Sequence, residues 1–392
     1  MRRFSANYIY THRFLKNGII ETNDNGEITN IIDTKGDLRE SRNLEFYNGI
    51  IVPGFINTHC HLELSAFKNR IAQKVSLPAF IQNIVSLKKE INDSEYLKPI
   101  ETADTLMFKN GIVAVGDIAN TSITIAVKKK SKIFYLTFVE ALGLNNNAEQ
   151  IFKNINNVFE TFQKESLPAA IVPHAPYSVS KKLLTLIKQH AEKNHSILSI
   201  HNQETASENE LFQSLSGELA KKFNEMGVEI HNIQKTGTSS LQSIASDLPI
   251  NNNILFIHNT YTSQQDIDFA VANFPNCYFC LCPKSNLYIE NRLPDIVHFN
   301  NYQDKITLGT DSLASNDNLS ILDEMFVLQL NHPQINLSQL INWATINGAR
   351  ALGIEKDFGS IEPGKKPGLN LIQNIDFDTM RLKKESAVLR LI

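Results

Sequence analysis

Ile51-Val52-Pro53-Gly54-Phe55-Ile56-Asn57-Thr58-His59-Cys60-His61-Leu62-Glu63-Leu64-Ser65 begins as an apolar run and ends in a His-x-His pair. On an extended strand successive side chains alternate faces, so His59 and His61 point the same way and Cys60 points opposite. Two imidazoles on one face can hold a single transition metal, and neutral imidazole is the usual nitrogen ligand of zinc or iron. Taken alone, the pair would suit a strand end with two solvated histidines equally well. The rest of the chain weighs for the metal.

After the run at 51–56, similar apolar runs lie at 112–118, 133–139, 169–172, 197–200, 254–257, 278–281 and 306–308, with longer helix-like segments between them. Fully apolar strands alternating with helices imply an α/β fold whose parallel sheet is covered on both faces. Eight such units fit a closed (β/α)8 TIM barrel, whose chemistry sits on the loops at the strands' C-terminal ends. An open doubly wound sheet is the alternative, but no Gly-x-Gly-x-x-Gly follows the first strand. Residues 1–50 hold short strand-like segments, 7–10 and 28–32, separated by the turn-formers at 23–26; they read as antiparallel strands. Residues 355–392 carry a similar signal, so both ends combine into one small β-domain flanking the catalytic stretch 51–354. A helix is expected over 180–193, capped by Ser180, with Leu183, Leu184, Leu186 and Ile187 facing the core. Trp343, in the amphipathic segment 337–352, reads as packing.

The chain has 392 residues, 42% hydrophobic and 20% charged, ordinary for a globular protein able to bury a large core. A net charge of -3 leaves no basic excess to attract nucleic acid. The clusters Lys88-Lys89 and Lys128-Lys129-Lys130 read as solvated faces. Cys60, Cys277, Cys280 and Cys282 are too few and too clustered for a disulfide framework, so they read as small apolar strand residues in a reducing compartment. Met1-Arg2-Arg3 is basic, but no apolar h-region follows and no stretch is long enough to span a bilayer. A cytoplasmic protein with no membrane partner is the expectation.

Polar residues at the C-terminal ends of barrel strands read as catalytic. The first run ends in His59 and His61, the fourth in His174, the fifth in His201, the sixth in His258 and the eighth in Asp311. His59, His61, His201 and Asp311 would supply three nitrogens and one oxygen to a divalent cation, with a water completing the sphere. Such a cation lowers the water's pKa and yields a hydroxide able to attack an electrophilic carbon. Glu204, three residues after His201, could carry the water's proton to a leaving group. His258 could orient the nucleophile or stabilise developing charge.

These residues sit in motifs that resemble the amidohydrolase superfamily, and within it the mononuclear deaminase and chlorohydrolase-like branch. The matching stretches are Pro53 to His61, Pro173-His174-Ala175-Pro176-Tyr177-Ser178, His201-Asn202-Gln203-Glu204, Ile257-His258, Leu308-Gly309-Thr310-Asp311-Ser312, and Gly359 to Lys366. The resemblance implies a TIM barrel plus a small β-sandwich built from both termini. It implies metal ligands at His59, His61, His201 and Asp311, with proton transfer by Glu204, His258 and Asp311. Binuclear relatives carry a bridging lysine at the end of the fourth strand, where this chain has His174, so one divalent metal per chain is expected, zinc first and iron as the alternative. A homodimer is expected on the same ground. The family's usual closing Lys-x-Ala-Asp-Leu-Val is replaced by Lys366-Pro367-Gly368-Leu369-Asn370-Leu371, a departure confined to the terminal β-domain.

His61-Leu62-Glu63-Leu64-Ser65 resembles the corresponding segment of aminofutalosine deaminases. By that resemblance Glu63 would hold a ribose hydroxyl and His174 a ring nitrogen of a small-molecule substrate. No arginine lies between Arg70 and Arg292. Arg292 could therefore hold an anionic group, bidentate binding of carboxylate being what arginine does best, or it could pair with Glu290 or Asp295. The reaction implied is hydrolytic removal of an exocyclic amine from an adenine-type nucleoside. Guanine, pterin or cytosine deamination and chlorohydrolase-like attack on an aromatic ring share the same chemistry. A binuclear cyclic amidohydrolase and a barrel retained only as a scaffold are the further alternatives.

Overall fold

The computed structural model describes residues 2–144, 147–228, 230 and 233–392. The chain opens with β1 (Arg2–Tyr10), β2 (Phe14–Lys16), β3 (Ile19–Thr22), β4 (Ile28–Ile32) and β5 (Leu44–Pro53). The late strands β14 (Leu369–Gln373) and β15 (Ala387–Arg390) join them in a seven-stranded sheet, order β15-β14-β5-β1-β3-β4 with β2 beside β1. Both ends of the chain therefore meet in one sheet, around Phe4, Ile9, Ile20, Ile51, Leu369 and Leu371. The sheet is mixed rather than antiparallel: β1 and β5 run parallel, because the β3–β4 hairpin leaves β4 running as β1 does and the chain then crosses over to β5 without reversing.

The apolar run at 51–56 divides. Its first residues finish β5, and β6 (Phe55–Cys60) starts after Gly54. A Cβ on Gly54 would lie 2.2 Å from Val113 Cγ1 and 2.6 Å from the Pro367 carbonyl oxygen, so only glycine lets the chain pass from the terminal sheet to the inner one there.

The remaining runs form β7 (Ile112–Ala119), β8 (Phe134–Ala141), β9 (Ala169–Pro173), β10 (Leu198–Asn202), β11 (Ile254–His258), β12 (Cys277–Leu281) and β13 (Ile306–Leu308). They make two four-stranded parallel sheets, β6-β7-β8-β9 and β10-β11-β12-β13. Burial on both faces explains why these strands read as continuous apolar runs rather than alternating ones. Backbone bonds link the edges of the two sheets. His201 N donates to His174 O at 2.9 Å, and Thr310 N and Asp311 N donate to His59 O at 3.1 Å. Thr58 Oγ1 against Thr307 Oγ1 (2.8 Å) and Asn57 Nδ2 to Thr310 Oγ1 (2.7 Å) set the register where β6 faces β13.

The helix Lys181–Asn194 begins as expected, Ser180 Oγ accepting from Leu183 N, with Leu183, Leu184 and Ile187 buried. Two helices connect β6 to β7: α1 (Leu77–Glu90) and α2 (Asp93–Lys109). Among the described residues no helix is long and apolar enough to cross a membrane.

Candidate active site

The strand ends bring His59, His61, His174, His201, His258, Glu204 and Asp311 to one place, where all but His59 line a single cavity of about 180 Å³. The backbone is strained there. Gln203, His258, Asn259 and Asp311 adopt positive φ (46°, 72°, 55° and 54°) although none is glycine. Such conformations cluster at functional sites because they re-aim a side chain at the expense of stability. Gly309 admits the turn before Asp311; a Cβ on it would lie 2.8 Å from both Cys280 Sγ and His59 Cβ.

Four donor atoms converge. His61 Nε2 is 3.2 Å from His59 Nε2 and 3.3 Å from His201 Nε2, and Asp311 Oδ1 is 3.7 Å from His59 Nε2 and 3.6 Å from His61 Nε2. Zinc–nitrogen bonds of about 2.0–2.1 Å in a tetrahedron would separate ligand atoms by roughly 3.3 Å. The cluster has that size. Burial pushes His59 and His201 well below the usual histidine range, and neighbouring imidazoles add to the effect. These rings are therefore neutral, the form that binds metal. His201 Nδ1 donates to His174 O at 2.8 Å, which leaves Nε2 as its lone-pair nitrogen. Burial alone would raise the Asp311 carboxyl. His61, His258 and the hydroxyls of Ser285 and Ser315 outweigh it and hold the group below its usual range. Those hydroxyls both donate to Oδ2, at 2.6 and 2.7 Å, and free Oδ1 for the histidines.

Glu204 and His258 form the second layer. His258 Nδ1 lies 2.9 Å from Asn286 Oδ1, so it carries the proton and Nε2 accepts. Nε2 is 3.6 Å from Glu204 Oε2. Burial, with Asp311, Glu290 and Glu208 adding, pushes the Glu204 carboxyl well above its usual range. Glu208 shapes this loop by accepting from Gln203 N (3.0 Å), Glu204 N (3.2 Å) and Ser240 Oγ (2.6 Å). His174 is driven down to about 3, chiefly by burial, and its Nδ1 sits 2.7 Å from Ser178 Oγ.

Two predicted substrate residues lie elsewhere. Both Glu63 oxygens are taken, by Asn120 N (3.1 Å), Thr121 N (2.9 Å) and Thr121 Oγ1 (2.8 Å), and Glu63 does not line the cavity. Its side chain turns back under the loop after β7. Arg292 is also absent from the cavity and pairs with neither Glu290 nor Asp295 as expected; its guanidinium lies 4.5 Å from the centre of the Tyr261 ring. Lys89, Lys129 and Lys130 are exposed as expected, and one lysine of each cluster departs from the expectation. Lys128 is buried against Asp117 Oδ2 at 2.6 Å, whose Oδ1 accepts from Leu62 N beside His61. Lys88 lines the cavity.

Other lining residues carry signals in the sequence that point to them only in hindsight. Leu77, Phe80, Ile81, Ile84, Val85 and Lys88 form one stripe of α1 at helical spacing facing the cavity. Glu140 follows the third apolar run directly and obeys the same strand-end rule as the histidines. A second apolar cavity of about 200 Å³ shares Ile81, Leu142, His174 and Tyr177 with the first, so space continues outward from the polar centre.

The amidohydrolase family profile matches residues 50–388. An adenosine deaminase of Helicobacter pylori is 27% identical over 355 residues, covering 88% of this chain and 83% of the relative. The crystal structure of Helicobacter pylori aminofutalosine deaminase in complex with methylthio-coformycin superposes with a TM-score of 0.83 at 24% identity, over 96% of this chain and 93% of that one. An adenosine deaminase of Xanthomonas campestris with bound zinc superposes with a TM-score of 0.74 at 18% identity, over 98% and 89%. The chain belongs to the amidohydrolase family.

Proposed function

We propose that this member of the amidohydrolase family is a hydrolytic deaminase that releases ammonia from the exocyclic amine of a purine-type ring or nucleoside. The convergence of three imidazole nitrogens and one carboxylate oxygen at 3.2–3.7 Å carries the reading. His59, His61, His201 and Asp311 would hold one divalent metal, zinc, which suits three nitrogens and an oxygen with a position left open. When bound, such a cation acidifies a water and so supplies a nucleophile at neutral pH. Glu204 takes the proton from the attacking water and delivers it to the departing amine, from a place on the cavity wall 3.6 Å from His258 Nε2. His258, accepting through Nε2, orients that water together with Asp311. His174 turns its remaining ring nitrogen to the substrate ring. The names of the relatives favour an adenosine or aminofutalosine type of substrate. Glu63 and Arg292 have no substrate contact in this reading, since both Glu63 oxygens accept from the loop after β7 and neither residue lines the cavity.

A second ligand group, Glu140, His174 and His201, lies close by. It does not support a binuclear centre. His201 Nδ1, the nitrogen on that side, already donates to His174 O.

The same reading closes the two parallel sheets into an eight-stranded barrel over 51–354, supported by the bonds from His201 N to His174 O and from Asp311 N to His59 O. It folds the terminal sheet of 1–50 and 355–392 into a sandwich, supported by the shared core of Phe4, Ile51 and Leu371. A cytoplasmic location accords with four buried, unpaired cysteines. The homodimer rests on resemblance and is tested by light scattering.

Ammonia release by zinc-loaded protein, measured on adenosine, methylthioadenosine, aminofutalosine, guanine, isoxanthopterin and cytosine, tests the function. Turnover of a purine nucleoside that disappears in Glu204→Gln is expected. Silence on every ring amine with metal bound would reject deamination.

A further inference from the structure

Glu140, near the end of β8, has a side chain only 4% exposed. Its Oε2 accepts from Asn120 Nδ2 at 2.9 Å. Its Oε1 has no hydrogen-bond partner among the described residues, and the residue lines the cavity beside His174 and His201. A buried carboxylate oxygen left unpaired is costly, so a donor from the ligand is called for. Three kinds of group could meet it: a second metal, the leaving amine or a substrate hydroxyl. A second metal is disfavoured because the nearest ring nitrogen, His201 Nδ1 at 3.7 Å, is already engaged. The leaving amine must sit on the opposite, Nε2 edge of the His201 ring, where Glu204 and Asp311 are. What remains is a hydroxyl on a part of the substrate away from the reacting carbon, as the sugar of a purine nucleoside is.

We propose that Glu140 is the substrate's sugar-binding residue, its free oxygen accepting a ribosyl hydroxyl while the ring lies between His174 and the metal ligands. The proposal deepens the deaminase reading and rests on it for the identity of the ring. Asn120 fixes the carboxylate from behind and in turn accepts at 3.0 Å from Lys88 Nζ, at the polar end of the α1 stripe, so Lys88, Asn120 and Glu140 make one polar chain along the cavity. Lys88 keeps further N–H groups for a neighbouring hydroxyl. Glu63, a carboxylate of the same type, has no free oxygen to compete for this role.

The test uses zinc-loaded full-length protein, with Glu140→Gln, Glu140→Ala and Asn120→Ala beside the wild type. Binding by calorimetry and ammonia release are measured with adenosine, 2′-deoxyadenosine, 3′-deoxyadenosine and adenine. The wild type is expected to favour adenosine over at least one deoxynucleoside by about 10- to 100-fold, as a site built for a hydroxyl does. Both Glu140 variants should lose that preference, Asn120→Ala should lose part of it, and all should keep their zinc and their handling of adenine. Equal losses on adenosine and adenine, or an unchanged preference, would overturn the proposal. If the wild type released no ammonia at all, deamination would fail. Calorimetry would still decide Glu140: a Glu140-dependent preference for adenosine over adenine sustains the role, and its absence rejects it.

Discussion

β6, β9, β10 and β11 deliver their histidines from paired, buried backbone, whereas α1 presents its cavity stripe from a helix entered through loops and held at Leu77 N by Glu290 Oε1 (2.7 Å). His59 and His258 are 0% and 1% exposed, while Val85 on α1 is 38% exposed. The difference separates two tasks. Groups that would hold a metal sit on paired, buried strands, and groups that would exclude water and accept a substituent sit on a partly exposed helix.

The contrast breaks most visibly at the metal. His59→Ala or His201→Ala is expected to leave no detectable zinc and no turnover. The wild type stripped by a chelator should recover with added zinc, as metal analysis and ammonia release would report; a fully active His201→Ala protein would dissolve the distinction. Next in size, Glu204→Gln should lower kcat by about 10²- to 10⁴-fold while zinc stays bound.

Behind the sheet ends, Glu324 holds Asn316 and Lys284 N, and burial drives its carboxyl up to about 8. Its folded pKa exceeds the unfolded value, so the native state keeps its proton longer and stability falls as pH rises from about 4.5 to 8. Glu324→Gln should flatten that slope by up to a few kcal/mol, seen in urea unfolding at pH 5 and pH 8.5. An unchanged slope would place the pH dependence elsewhere.

On the other side of the comparison, Ile84→Ala or Val85→Ala should raise KM by about 3- to 10-fold with kcat nearly constant, the pattern of lost uniform binding. A large fall in kcat would mean that α1 positions the chemistry too. Smallest for catalysis, Glu63→Gln should leave kcat/KM within about twofold and cost about 1–3 kcal/mol of stability, as breaking a satisfied buried carboxylate does.

The same contrast explains what could be read without coordinates. Apolar runs announced the inner strands because double-sided burial removes polar residues from them, and histidines ending those runs were conspicuous. Glu140 obeyed the same rule, yet a single glutamate after a run looks like a solvated terminus. The α1 stripe looked like any core-facing helix, since periodicity marks an apolar face without telling whether protein or ligand covers it. Glu63 turns to the loop after β7 because, past the strand end, spacing no longer fixes side-chain direction. Lys128 looked solvated within its lysine run; its partner Asp117 lies eleven positions back, on another element. The parallel pairing of β1 with β5 depends on a crossover that local strand signals do not contain.

One metal, held by the strand-end cluster, is proposed to do the work. The most direct test is zinc stoichiometry by plasma mass spectrometry on wild type, His59→Ala and Glu140→Ala, each assayed for ammonia release from a purine nucleoside. One zinc per chain in the wild type and in Glu140→Ala, none in His59→Ala, and turnover only where zinc is present is the result expected. Two metals per active wild-type chain, with one lost in Glu140→Ala, would move the chemistry to a binuclear centre and contradict this account.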